Sequence, residues 1–383
     1  MQTMLALRGR PLLNMFGASL LMALCAACGG GSSDAVAPPV SSGGGSGTVS
    51  PPPVSTTPPV STPALSILAG SPAEAGDVDG SGTAARFRGP AAMTIDSAGN
   101  LVVSGSCSLR KITPAGVVST VAGTQGGCAP AGPSVFPLAS ALAAASGGRL
   151  FLTSDRQVVE VNPAYVTQKF AVLEMGASDS RSAIAFSGSG IAVDAAGNVI
   201  VANGIGTRRI TPSFTTTMLE GVAVTDTYSI GTQSLRLRGV TVDAAGTVYL
   251  AALDNTIVRI DASGKTTVVA GTPETYGISD GTGAAARFGR VVALAVDGQG
   301  NLYAADSGYP TSDNGTVIYN ELIRKITPAG VVTTIAGKSS TTASVLQTGA
   351  LPGSLAPLGG IALDGKGNLY ASSGTAIVKI VLP

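Results

Sequence analysis

The chain has 383 residues, of which 12% are charged, and its 23 lysines and arginines against 22 acids leave a formal net charge of +1. That balance argues against a nucleic-acid partner, which calls for a basic patch or stripe. The absence of histidine removes His-ligated zinc, the usual Ser-His-Asp triad and imidazole acid–base chemistry.

At the N-terminus, Arg8 and Arg10 precede an apolar run from Pro11 to Ala27. The run is too short for a convincing membrane span and has the n-region and h-region of a secretory signal, placed at 1–27. Its end, Leu24-Cys25-Ala26-Ala27-Cys28-Gly29, resembles the lipobox of bacterial lipoproteins. The resemblance implies cleavage before Cys28 and lipidation of its thiol, although Cys25 stands where Leu is usual. Gly29 in place of Asp implies outer-membrane sorting in a Gram-negative cell, and hence a lipid-anchored protein of the bacterial envelope. An ordinary signal peptide releasing a soluble protein is the alternative. Each buried acyl methylene contributes about 0.8 kcal/mol, so two or three chains anchor stably where one does not.

Residues 28–63 are almost all Gly, Ser, Pro, Thr and Val. Such a stretch cannot bury enough apolar surface to offset chain entropy and is expected to be a disordered tether. As a flexible coil its 36 residues span about 33 Å. The first 27 residues hold two arginines and no acid, so the rest carries 21 basic against 22 acidic residues, a net −1.

From 64 to 383 a turn recurs: Asp96-Ser-Ala-Gly99-Asn100, Asp194-Ala-Ala-Gly197-Asn198, Asp243-Ala-Ala-Gly246, Asp297-Gly-Gln-Gly300-Asn301 and Asp364-Gly-Lys-Gly367-Asn368. A degenerate copy, Ala145-Ser-Gly-Gly148-Arg149, fills the gap, and the first three intervals between glycines are 49 residues each. A period in this range marks a solenoid, propeller or array. Around each turn lie runs of β-branched and small apolar residues bounded by Gly, Pro, Asp and Asn, which read as four strands per unit. Strand a precedes the Asp turn, b follows it, c carries Arg-Lys-Ile, and d ends in Ala-Gly. The Asp carboxylate is expected to accept an N–H two residues on, with Gly supplying positive φ. Phe87, Phe136, Phe288 and Leu355 stand nine residues before their anchors and are expected to fill the gaps between units. Tyr249, Tyr303 and Tyr370 take a core position of strand b.

Asp280-Gly-Thr-Gly-Ala-Ala-Ala-Arg-Phe288, Val296-Asp-Gly-Gln-Gly-Asn-Leu-Tyr-Ala-Ala-Asp306 and Ile323-Arg-Lys-Ile-Thr-Pro328 through Gly337 resemble the NHL repeat. The resemblance covers essentially all of 64–383, and it implies an all-β propeller of four-stranded antiparallel blades around a central channel. Six anchors give six blades. The last unit stops after strand c, near Ile377, while Ala64-Leu-Ser-Ile-Leu-Ala-Gly70 matches a strand d, so 64–70 is expected to complete the last blade and close the ring.

In a propeller the d–a and b–c loops share one rim, and the a–b and c–d turns share the other. Cys107, in the b–c loop of blade 1, and Cys128, in the following d–a connection, fall on the same rim. In an exported chain they read as a disulfide, with two buried thiols as the alternative. Asp77-Val-Asp79-Gly-Ser-Gly82 has the look of a calcium loop, but an acid is missing where Arg88 stands and a structural turn is the preferred reading. No metal site and no cofactor is assigned. Blade 5 carries a long b–c insertion containing Tyr309, Asp313, Asn314, Tyr319 and Asn320, with Tyr276 and Tyr228 in neighbouring d–a loops. These form a candidate partner patch, against the plainer reading of solvated loop decoration. Arg88, Arg238 and Arg290 precede strand a and either receive an anion at the channel mouth or bond loop carbonyls.

The leading reading is a monomeric, non-enzymatic binding or scaffold propeller, held at the membrane by its lipid and taking a protein, peptide or glycan on the loop-rich rim. The alternative is a metal-dependent hydrolase or lactonase with carboxylate ligands in the channel. A purely structural envelope part is a third.

Overall fold

The computed structural model of the protein describes residues 62–105, 107–124, 139–154, 157–172, 190–203, 206–219, 239–252, 254–308 and 317–382. The signal, Cys28 and the tether up to residue 61 lie outside them. Six antiparallel sheets follow one another in chain order. Blade 1 consists of Met93–Ile95, Leu101–Ser104, Ser108–Ile112 and Val117–Gly123 as strands a to d. Blade 2 is Ala141–Ala144, Leu150–Ser154, Gln157–Val161 and Thr167–Val172. Blade 3 is Gly190–Val193, Val199–Asn203, Gly206–Ile210 and Thr216–Leu219. Blade 4 is Val240–Val242, Val248–Ala251, Ile257–Ile260 and Thr266–Ala270. Blade 5 is Val291–Val296, Leu302–Gly308, Tyr319–Ile326 and Val331–Ser340.

Blade 6 takes Leu358–Leu363, Asn368–Ser373 and Ala376–Val381 from the end of the chain, and Ala64–Gly70 from its start. The seam strand pairs antiparallel with strand c, from Ala64 opposite Val381 to Gly70 opposite Ala376. The ring is thus closed by backbone hydrogen bonds between distant ends of the sequence. The six a strands touch in order and the sixth returns to the first. They approach closely: a Cβ on Gly360 of blade 6 would run into the Ala91 carbonyl oxygen of blade 1.

The recurring turn fixes each a–b hairpin. Asp96 Oδ1 accepts the N–H of Ala98 at 2.9 Å and of Asn100 at 2.8 Å, while Gly99 takes φ 81°. Asp194, Asp243, Asp297 and Asp364 repeat the arrangement. Tyr249, Tyr303 and Tyr370 lay their rings along strand b and donate their hydroxyls to the anchor Asp of the same blade. Burial, reinforced by Asp297, pushes the Tyr303 phenol up to about 12.

Between blades the gaps are filled as the spacing predicts. Phe87 packs with Ala69, Ile377 and Tyr370 of blade 6 and Met93, Leu101 and Ile112 of blade 1. Phe288 does the same between blades 4 and 5, and Leu355 between blades 5 and 6. Phe136 lies outside the described residues. Each sheet alone leaves two apolar faces open, and stacking in a ring covers both.

One feature differs from four strands per blade. Gly80–Ser81, Gly281–Thr282 and Gly349–Ala350 each pair with the outer strand d of blades 1, 5 and 6. The d–a connection there runs down the outside of the blade before entering strand a. It covers an edge that would otherwise offer unpaired N–H and C=O groups.

That connection is stapled by a buried arginine. Arg110, on strand c of blade 1, donates to Asp79 at 2.7 and 3.0 Å, to the Val78 and Arg86 carbonyls, and lies 5.1 Å over the Phe87 ring. Asp79 also accepts the N–H and hydroxyl of Thr120. In blade 5, Arg324 repeats this with Asp280, the Ser279 and Arg287 carbonyls and Phe288. The apparent calcium loop is therefore an arginine-held turn. Blade 6 has Val378 and Thr348 at the corresponding places, so the arginine and its acid are lost together.

Candidate functional site

The a strands are the inner edges of the six sheets, and they enclose a channel of about 320 Å³. Its wall is built from Ala, Gly, Val, Leu, Ile and Met with one Ser140, and all six blades contribute. Among the described residues, no ionisable side chain belongs to this wall. Arg88 and Arg290 do not line it: Arg88 is exposed and meets Asp77 at 3.4 Å, and Arg290 is exposed on the approach to strand a. Arg238 lies outside the described residues.

The departure from the repeat is in blade 5. Its strands b, c and d continue past the length of their counterparts, so the expected b–c insertion begins as paired sheet rather than loop. Ser307 pairs with Glu321 and Gly308 with Asn320, while Tyr319, Asn320 and Glu321 pair with Ser340, Ser339 and Lys338. A three-stranded extension results on the rim that carries the b–c and d–a loops.

Alternation across this sheet sorts its polar side chains onto two faces. On one face Arg324, Asp306 and Asn320 form a fully buried row. Asp306 accepts the backbone N–H groups of Gly289 and Arg290 at 2.8–3.2 Å and Arg324 Nη1 at 3.2 Å, so it fixes the chain where it turns into strand a. Burial pushes its carboxyl up, against Arg324 and the two N–H groups. Asn320 ends the row, and among the described residues neither of its amide atoms has a hydrogen-bond partner.

On the other face Glu321 Oε2 accepts the Leu358 N–H of blade 6 at 2.9 Å, tying the extension to the neighbouring blade. Among the described residues its Oε1 has no hydrogen-bond partner. Burial pushes the Glu321 carboxyl up and the nearby Asp306 adds to this, while Ser307 and the Leu358 N–H pull it down.

Of the residues expected in the partner patch, Tyr228, Tyr309, Asp313 and Asn314 lie outside the described residues. Tyr276 is 65% exposed and its backbone bridges to Phe288 in the connection that enters blade 5. Tyr319 is half-buried at the start of strand c, and Asn320 is interior rather than on the surface. Cys107 is disulfide-bonded, and Cys128 lies outside the described residues.

Asp306, Glu321 and Arg324 were not singled out by the sequence as site residues. A usable signal was present: Asp306 stands where blade 1 has Gly105 and blade 6 has Ser373, and Glu321 where they have Cys107 and Thr375. Acids that replace small residues in sister units set this blade apart from them.

No family model matches the chain, and no curated protein does. Solved structures share the ring. A protein of unknown function from Bacteroides thetaiotaomicron is 19% identical, with 84% of this chain and 76% of that one covered at a TM-score of 0.61. An auxiliary nutrient binding protein from Bacteroides ovatus is 16% identical over 83% and 76%, with a TM-score of 0.61. A gluconolactonase from Xanthomonas campestris is 11% identical over 84% and 90%, with a TM-score of 0.51. At these identities the likeness is one of fold. The protein is a six-bladed β-propeller.

Proposed function

We propose that this chain is an NHL-type propeller that binds a protein, peptide or glycan on the rim of blade 5, displayed from the bacterial envelope by a lipid on Cys28 and the 28–63 tether. The same ring is found in a protein described as nutrient-binding and in one described as a gluconolactonase, so the choice falls to the site. The observation that carries the reading is the blade 5 extension, raised on three paired strands and fixed from within by Arg324, Asp306 and Glu321. Buried polar groups that hold a protruding element in one position serve recognition, because little ordering entropy is then lost on binding.

The channel offers the alternative less. A carboxylate-held metal needs acidic oxygen ligands, and among the described residues the wall supplies none. We assign Cys128 as the partner of Cys107, which would hold the b–c loop of blade 1 on the same rim.

An array of peptides and oligosaccharides probed with the intact chain tests the reading. Signals that fall for Tyr276→Ala and Tyr319→Ala, with unfolding midpoints unchanged, support it. Signals indifferent to both substitutions overturn it. Metal analysis of the purified chain addresses the alternative, since one divalent ion per chain would favour it.

A further inference from the structure

The rim opposite the blade 5 extension has its own departure from the repeat. Its c–d turns read Thr113–Gly116, Asn162–Tyr165, Thr211–Phe214, Asp261–Gly264 and Thr327–Gly330. In three of them the last residue is Gly, with φ 79–84°. In blades 2 and 3 that place is taken by Tyr165 and Phe214, at φ 60° and 64°, a backbone region that bulky side chains seldom occupy. Tyr165 turns inward and packs beside the apolar cluster between blades 1 and 2. Phe214 touches Phe170 at 5.1 Å between ring centroids yet remains 63% exposed.

Packing alone therefore does not account for Phe214. Val166, which follows the blade 2 turn, is 59% exposed, and Val117 and Val331 are exposed after theirs. The acids of this rim are already engaged: each anchor Asp spends its carboxylate on N–H groups of its own turn. Lys265 and Lys366 are exposed in the same set of turns. Exposed apolar side chains with lysines among them suit the interface of a bilayer.

The described chain enters the ring on this same rim, which is where the proposed tether would leave it. Ala64, first residue of the seam strand, sits opposite Val381 at the end of strand c in blade 6, which is the c–d rim. Blade 6 and blade 3 stand opposite each other in a ring of six. The proposed tether at one side and Phe214 at the other would make two separated points of contact.

We infer that the a–b/c–d rim lies against the membrane, with Phe214 and Val166 inserted at the lipid interface, so that the blade 5 extension points away from the bilayer. This rests on the proposed lipid anchor, and the experiment separates the two. The full-length chain, purified with its acylation verified by mass, is reconstituted into phosphatidylethanolamine–phosphatidylglycerol vesicles containing brominated lipid. The protein has no tryptophan, so Phe214→Trp and Val317→Trp each place one fluorophore, on opposite rims.

Blue-shifted emission quenched by brominated lipid for Phe214→Trp, with Val317→Trp unquenched, is the expected result. Equal quenching of both, or of neither, in an acylated chain overturns the orientation while leaving the anchor in place. A chain without acyl groups overturns both. Hydrogen exchange on the unsubstituted chain gives a second measure: exchange at 211–215 slows on vesicles relative to detergent, and unchanged exchange counts against the inference.

Discussion

Arg324→Leu is the substitution for which the structure makes the sharpest demand. Arg324 is fully buried and lies between Asp280, which is 47% exposed, and Asp306, which is fully buried. Losing the arginine leaves Asp280 free to re-solvate but strands Asp306, among the described residues, with the N–H groups of Gly289 and Arg290. Removing one partner of a buried ion pair costs about 3–5 kcal/mol. Arg110→Leu in blade 1 is the built-in control. It loses the same two carbonyl contacts and the same aromatic face, yet its partner Asp79 is 32% exposed and the place of Asp306 is held by Gly105. No buried charge is abandoned there, and about 1–2 kcal/mol is expected. The gap of about 2 kcal/mol is the contribution of the stranded Asp306 carboxylate. Urea unfolding followed by far-UV circular dichroism measures both variants. Adding Asp306→Asn to Arg324→Leu should return part of the loss, since the charge is removed while an acceptor for the two N–H groups stays. If Arg324→Leu costs no more than Arg110→Leu, or the double variant recovers nothing, the argument from buried charge is wrong.

Deleting 64–70 should expose the edge of Ala376–Val381 and the apolar residues around Leu65, and size-exclusion chromatography should then show aggregate in place of the unsubstituted protein's peak. Glu321→Gln should gain on the unsubstituted protein as pH rises. A carboxyl raised in the folded state favours folding when protonated and loses that contribution between about pH 4.3, its unfolded value, and its raised folded value. Thermal midpoints from pH 3 to pH 8 check the sign, and a gain that shrinks with rising pH would contradict it. Gly330→Ala would put a Cβ 2.8 Å from the Val269 carbonyl oxygen at φ 79°, costing about 2–4 kcal/mol. Phe214→Gly relieves that same backbone region while losing the Phe170 contact, and should stay within about 1 kcal/mol of the parent by urea unfolding.

The internal repeats supply comparisons that a single sequence seldom offers. Where the strand c arginine is present with a full outer connection, its acid is present too, in blades 1 and 5. Where blade 6 has Val378, the acid is replaced by Thr348 and the short outer strand Gly349–Ala350 pairs without the staple. The edge strand is therefore built by backbone pairing, and the arginine locks it rather than creates it.

Periodicity determined the four main strands of each blade, the number of blades and the closing of the ring, because each rests on local chemistry repeated at fixed intervals. An Asp that accepts nearby N–H groups, a Gly at positive φ, and a large apolar residue nine positions before the anchor act within one or two blades. The terminal match of 64–70 to a strand d could be read for the same reason. What only the tertiary structure decided is where side chains of alternate residues point once strands outgrow the repeat. Asn320 and Glu321 are neighbours in the sequence, yet the pleat sends one toward Asp306 and the other to the Leu358 N–H of blade 6. Burial then sets their electrostatics, and burial depends on the adjoining blades and the approach to strand a, none of which the insertion itself encodes.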